Sequence, residues 1–364
     1  MQIAIISVTS VNSARNLIRG MLIGGLILMV VGSYELVSFL LGLPWIGIIR
    51  ADPALSGSQH IASIQLTGGY TFVRLASLGG EPKILAQSIA PLVFAVLIAR
   101  TYKLRLGPIL GSRFFLFGLL ALLFLTFSIS GWGSFMIAFP LVAWFALRQE
   151  RMIFRSFKAF IPVGVGLSVI VIGVAGTDFL SDVLLARLAV PFQEFLVILD
   201  GRTPAIFGES LKPEFAALRV LANDRIFLWF GVGPGNGHFY IAPLIGHPLD
   251  AIVSVNSGVV REVLEWGLLG ILAMFAIHFF AIKQAIKHRR MVPAGSELRG
   301  FLTIAIAIDI TSLSLDWLFS SEISGQLWLY LGVLIAITRI AKAQQPIQTQ
   351  SRISVTTNPV IQRG

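Results

Sequence analysis

Arg261, Glu262 and Glu265 open an otherwise apolar run, Asn256-Ser-Gly-Val-Val-Arg261-Glu262-Val-Leu-Glu265-Trp-Gly-Leu-Leu-Gly270. On a helix the two carboxylates share a face at i,i+3, and Arg261 reaches Glu265 at i,i+4. Ionisable groups at the mouth of a membrane helix are costly unless they face a wet cavity or each other. The trio is therefore either a proton-accepting site or a plain interfacial ion pair. Just upstream stands Phe230-Gly-Val-Gly-Pro-Gly-Asn-Gly-His238, with four glycines in seven residues. Such a segment supplies positive φ and exposed N–H groups, so Gly233, Gly235 and Asn236 could cradle an anion or sugar oxygens. The alternative is a flexible loop. It is not a Walker loop, because the Lys-Ser/Thr is missing.

Two further places carry usable charge. Arg187, Arg202, Arg219 and Arg225 are spaced along one long polar segment, and arginine grips phosphate through two N–H groups at once. The same segment holds eight acids, so ordinary surface ion pairing competes with that reading. The other place is Arg74-Leu-Ala-Ser-Leu-Gly-Gly-Glu81-Pro82-Lys83, where an Arg and a Glu flank a Gly-Gly turn. Its simpler reading is a turn and helix start, with Glu81 favouring the N-terminus and Pro82 in the first turn. Asp309 is a lone carboxylate inside an apolar run, read as partnered and structural rather than catalytic.

The elements that position these groups follow from composition. The chain has 364 residues, 55% apolar and only 13% charged, with a mean hydropathy of +0.83. A soluble domain carries about 25% charged residues, and several runs approach the ~20 apolar residues that span a bilayer. An all-α polytopic membrane protein is expected. There are no cysteines, which excludes disulfides and thiolate metal sites. The five histidines show no HxxxH or HExxH spacing, so no metal centre is expected.

Hydropathy places about eight spans, near 20–41, 84–99, 107–128, 132–147, 159–176, 256–282, 300–318 and 323–340. The first is too long for a signal-peptide core and is read as an uncleaved anchor. Nineteen of the 28 bases fall on one side of this arrangement with just two acids, Glu150 and Glu297. The positive-inside rule makes that side, and both termini, cytoplasmic. The net charge of +10 is thus a topology signal, and nucleic acid is not an expected partner. The organisation expected is N-terminal helices over 1–176 with an outer loop at 42–83, and a large periplasmic loop over 177–255. C-terminal helices follow over 256–341, with a disordered cytoplasmic tail over 342–364. In the large loop Pro191, Pro204 and Pro213 punctuate short amphipathic helices. No internal repeat of the kind found in many transporters is visible.

In order, spacing and sidedness these places resemble the bacterial O-antigen ligase and polymerase family, which includes exopolysaccharide polymerases. The family's R…EP element looks like Arg74…Glu81-Pro82, and its S-x-S hairpin motif like Ser128-Ile-Ser130. Its G-x-G-x-G-N segment looks like Gly231-Val-Gly233-Pro-Gly235-Asn236, and its post-loop helix like Asn256…Leu264-Glu265-Trp-Gly267-Leu-Leu-Gly270. The similarity covers roughly 70–340. Gly131-Trp132 stands where members often have an Arg. Val255 stands beside Asn256 where ligases usually have a His, which points towards a polymerase and away from a lipid A–core ligase.

The resemblance implies a membrane glycosyltransferase C-like fold in the bacterial inner membrane and a metal-independent glycosyltransferase without a cofactor. It would join oligosaccharide repeats carried on undecaprenyl pyrophosphate, with flippase and chain-length regulator proteins as partners. Arg74, Arg187, Arg202, Arg219, Arg225 and Arg261 would contact pyrophosphate or glycan with Gly233, Gly235, Asn236 and Asn256. Glu81, Glu262, Glu265 and His238 are the candidate bases. The rival readings are an O-antigen ligase, a lipid-linked oligosaccharide flippase or other transporter, and a non-catalytic envelope subunit. A flippase should carry cations deep in several spans, whereas here the outward charges cluster at the mouth.

Overall fold

A computed structural model describes residues 2–44, 63–65, 71–73, 75, 77–79, 82–126, 128–147, 208–248, 255, 258–319 and 325–356. After a short α1 (Gln2–Ser7), Ser10 caps α2 (Val11–Leu41) through a reciprocal Ser10–Ser13 capping box, and Gly42 ends it with φ of 64°. Ala14, Ile18, Leu22, Gly25, Gly32, Glu35 and Ser38 form its buried stripe. Two glycines on that stripe let neighbouring helices approach closely: Gly25 against Leu92 and Phe115, Gly32 against Leu122. The opposite face exposes Ile23, Ile27, Val30 and Val37, the surface a bilayer would cover.

Pro82 starts α3 (Pro82–Thr101), as the turn-and-helix reading expects. It is followed by α4 (Arg113–Leu125) and α5 (Ile129–Val142), which continues into a π turn over Ala143–Leu147. Ser128 closes the α4–α5 hairpin as the N-cap of α5, its hydroxyl accepting from the Gly131 amide at 3.2 Å. The later elements are α6 (Gly208–Asn223), α7 (Arg225–Phe230), α8 (Gly237–Ile241), α9 (Gly258–Met291), α10 (Glu297–Phe319) and α11 (Gly325–Thr356). α3 and α10 lie at the centre, α10 packing on α3, α5 and α11, with an almost unbroken buried run from Phe301 to Ile310.

Four described helices are long and apolar enough to cross a membrane: Val11–Leu41, Pro82–Thr101, Val259–Met291 and Gln326–Gln344. The expected spans at 20–41, 84–99, 256–282 and 323–340 fall on them. Those at 107–128 and 132–147 fall on the shorter α4 and α5, that at 300–318 on α10, and that at 159–176 outside the described residues. At one end of the bundle Arg15 of α2 pairs with Glu297 of α10, Arg19 donates to the Arg105 carbonyl at 2.7 Å, and Arg100 to the Gly111 carbonyl at 2.8 Å. The start of α2, the end of α3 and the start of α10 therefore share one layer.

Among the described residues the chain is all-α as expected apart from one local pair, Ser63–Gln65 and Thr71–Val73, which form a small antiparallel hairpin with Ile64 opposite Phe72. Aromatic and β-branched residues fit such a pleated pair. Two expectations are corrected. Pro213 does not separate two helices but lies inside α6. The tail expected to be disordered is helical as far as Thr356. Lengthening an existing helix needs no new nucleus, and Ala, Gln, Lys and Arg favour it.

Candidate functional site

The α9 helix is broken. Gly267 has φ of 67° and ψ of 177°, far from helical values, so a first segment ending at Trp266 is offset from the long apolar segment that follows. A break inside a membrane helix leaves carbonyls without their i+4 donors, and these must be met from elsewhere. The Gly-rich segment supplies the donors. Val232 N–H reaches the Leu264 carbonyl at 2.7 Å and Gly233 N–H the Glu265 carbonyl at 3.1 Å. Gly235 N–H then reaches Glu265 Oε2 at 3.0 Å. Only residues without Cβ fit: Gly231 and Gly233 have φ of 73° and 93°, and a Cβ on Gly231 would overlap the Glu265 carbonyl.

These bonds correct the role expected for the glycines. The amides of Gly233 and Gly235 are consumed in clipping the loop onto the broken helix and that of Gly231 in bonding the Phe227 carbonyl, so these three do not form an open cradle for anion or sugar. Asn236 closes the turn internally, its amide donating to the Gly233 carbonyl at 3.1 Å and its side chain to the Val232 carbonyl at 3.3 Å. Glu265 is corrected too. Its carboxylate accepts from Gly235 and from Arg261 Nε at 3.1 Å, and the residue is 8% exposed. A carboxylate held on both oxygens by a cation and an amide is a structural hub, with its lone pairs already engaged.

Glu262, one turn earlier, is the other kind of carboxylate. It is 6% exposed and makes no hydrogen bond or ion pair among the described residues. Its nearest charges are those of Arg261 and Glu265. The expected i,i+3 face and the i,i+4 ion pair are thus both present, and they separate the two glutamates into a bound one and an available one.

The rest of the large loop packs against this mouth. Ala216, Ala217, Val220 and Leu221 of α6 cluster with Ile241 of α8, with Val255 ahead of α9 and with Leu264 in its first segment. Residues 208–248 are thereby seated on the first turns of the broken helix. Arg219 and Arg225 are exposed on this subdomain and pair with nothing among the described residues. His238 is half-buried, its ring against Phe239 at a centroid distance of 3.8 Å, next to Gly237, which packs on Leu264 and Glu265. The structure therefore brings together Arg261, Glu262, Glu265, Gly233, Gly235, Asn236 and His238. Arg219 and Arg225 stay on the outer surface. Arg74, Glu81, Arg187, Arg202 and Asn256 lie outside the described residues.

The stretch between Arg74 and Glu81 is nevertheless anchored. Ser77 N–H donates to buried Glu35 Oε2 at 2.7 Å, Ser77 Oγ to the Leu28 carbonyl at 3.0 Å, and Leu75 N–H to the Leu125 carbonyl at 3.2 Å. Ser77 has φ of 46°, which a non-glycine residue holds only when its surroundings insist. No signal in the sequence marks Glu35 for this role, since it looks like a stray charge near the end of a span.

Sequence reasoning also missed a second buried pair. His278 Nδ1 of α9 sits 3.1 Å from both oxygens of Asp309 of α10, and both side chains are fully buried. Asp309 is thus partnered, as expected, and its partner comes from a different helix. His278 Nε2 has no partner among the described residues.

No family model matches the chain, and neither a curated protein nor a solved structure matches it.

Proposed function

We propose that this protein is a polysaccharide polymerase joining undecaprenyl-pyrophosphate-linked oligosaccharide repeats at the periplasmic face of the bacterial inner membrane. Both termini are cytoplasmic and the 208–248 subdomain periplasmic. The observation that carries the reading is Glu262, a buried carboxylate at the head of a broken membrane helix, beside a cation and beneath a soluble subdomain that displays arginines. In the reaction a hydroxyl oxygen of one lipid-linked repeat bonds to the anomeric carbon of another. The bond from that carbon to the pyrophosphate oxygen breaks, its electron pair leaves with undecaprenyl pyrophosphate, and the hydroxyl proton passes to Glu262. A positioned base contributes roughly 10²–10⁴-fold to such a step. Arg219 and Arg225, with Arg74, Arg187 and Arg202, stabilise charge on the leaving pyrophosphate. Arg261 does so less directly, being committed to Glu265.

Proteoliposomes carrying the purified protein and lipid-linked repeat units test this. Wild-type protein should produce a ladder of longer glycans, and Glu262→Gln should be folded but inactive. A mutant cell lacking the protein should accumulate single repeats on the outer leaflet. Accumulation on the inner leaflet would replace the polymerase by a flippase.

A further inference from the structure

The far end of α9 holds a feature that the proposed chemistry does not use. A cavity of about 910 Å³ lies between the π turn after α5, the second segment of α9 and α10. Its walls are apolar, chiefly Leu141, Phe145, Phe275, Phe279, Ile282 and Leu313. Lys283, Lys287 and Arg290 also line it. These cations stand at i, i+4 and i+7, one face of the helix. The apolar residues Phe275, Phe279 and Ile282 continue the same face towards the helix centre.

Charge and depth together define the occupant. Lys283, Lys287 and Arg290 are exposed, and none has an ion pair or hydrogen bond among the described residues. The second segment of α9, from Leu268 to Met291, contains no acid to neutralise them. Lys283 is 16 residues beyond the break at Gly267, roughly 24 Å along the second segment, which is most of the thickness of the hydrocarbon layer. The cations therefore stand at one bilayer interface when the Glu262 mouth stands at the other, and the apolar walls stand within the acyl-chain region. The wall is also built, not incidental. Fully buried Arg289 donates to the Phe145 carbonyl at 3.2 Å, holding α9 against the π turn that forms one wall of the groove.

We infer that this cavity binds an acidic glycerophospholipid, with its acyl chain along Phe275, Phe279 and Ile282 and its phosphate over Lys283, Lys287 and Arg290. Basic side chains beside a membrane surface select anionic headgroups in this way. The inference is independent of the polymerase reading and concerns the opposite end of the helix.

Native mass spectrometry of the full chain, released from nanodiscs of equal parts phosphatidylglycerol and phosphatidylcholine with matched chains, tests it. Wild-type protein should retain phosphatidylglycerol about tenfold or more over phosphatidylcholine. The triple variant K283Q/K287Q/R290Q should bring the two near parity, with helicity and monodispersity unchanged. Leu141→Trp, which fills the groove from a half-exposed position, should lower retention of the acidic lipid while keeping the cations. Parity in the wild type, or a preference that survives the triple variant, would overturn the inference. A preference lost in the triple variant yet untouched by Leu141→Trp would reduce it to a basic surface patch and overturn the cavity as the site.

Discussion

Gly231 and Gly267 are reciprocal. A Cβ on Gly231 would run into the carbonyl of Glu265, two residues before Gly267, and a Cβ on Gly267 into the carbonyl of Trp229, two residues before Gly231. Their backbones match as well, with φ of 73° and 67° and ψ of 177° in both. The loop and the helix break are thus made for each other, each needing a residue without a side chain at the crossing.

Alanine at either position should destabilise the protein by about 1–3 kcal/mol, because a backbone carbonyl cannot swing aside as a side-chain end can. Thermal unfolding in detergent measures the loss, and limited proteolysis should show residues 208–248 released first. Gly24→Ala is the comparison, since a Cβ there meets nothing within 4 Å. Equal melting temperatures for Gly24→Ala and Gly267→Ala would contradict the clip.

The two glutamates should part company under isosteric substitution. Glu265→Gln weakens a charge-assisted pair with Arg261 and should cost about 1–3 kcal/mol. Glu262→Gln removes a buried charge that no hydrogen bond or ion pair among the described residues holds and that the Glu265 charge opposes, so its stability should equal or exceed that of the wild type. Its glycan extension in proteoliposomes should nevertheless fall by at least about 10²-fold. A fully active Glu262→Gln protein would pass the role of base to Glu81 or His238.

His278 and Asp309 should behave as one unit. Replacing either by Ala strands a buried polar partner at about 1–3 kcal/mol, and the double variant should cost less than the sum of the two. The readout is a double-mutant cycle by thermal unfolding. Strict additivity would mean the 3.1 Å contact contributes nothing to the packing of α9 on α10.

Glu35→Ala should loosen the segment that leads to Glu81. It removes the acceptor of a buried amide on Ser77, again about 1–3 kcal/mol. Hydrogen exchange should rise locally at residues 75–79 and stay unchanged in α10. A uniform rise across the bundle would argue that Glu35 supports the whole fold instead.

Orientation is checked with alkaline phosphatase fusions. A fusion after Gly246, in the turn that ends the subdomain, should be active, and one after Gly295, between α9 and α10, inactive. The reverse pattern would put the Glu262 mouth in the cytoplasm and remove the polymerase reading.

Much of this protein is decided locally and is therefore legible in the chain. Apolar runs of bilayer length set the long helices, because a lipid-facing backbone must satisfy itself. Ser10, Ser128 and Pro82 mark helix starts by chemistry confined to one turn. The i,i+3 and i,i+4 relations of Arg261, Glu262 and Glu265 follow from helical pitch alone. What the sequence could not decide are contacts between segments distant along the chain. The same Gly-rich stretch could cradle a ligand or clip a helix, and the choice rests on where the carbonyls of Leu264 and Glu265 lie. His278 and Asp309 are 31 residues apart, and Glu35 and Ser77 are 42. Each looks like an isolated polar group until packing brings it a partner. Burial makes an unmet polar group expensive, but the identity of the group that meets it is a property of the tertiary fold.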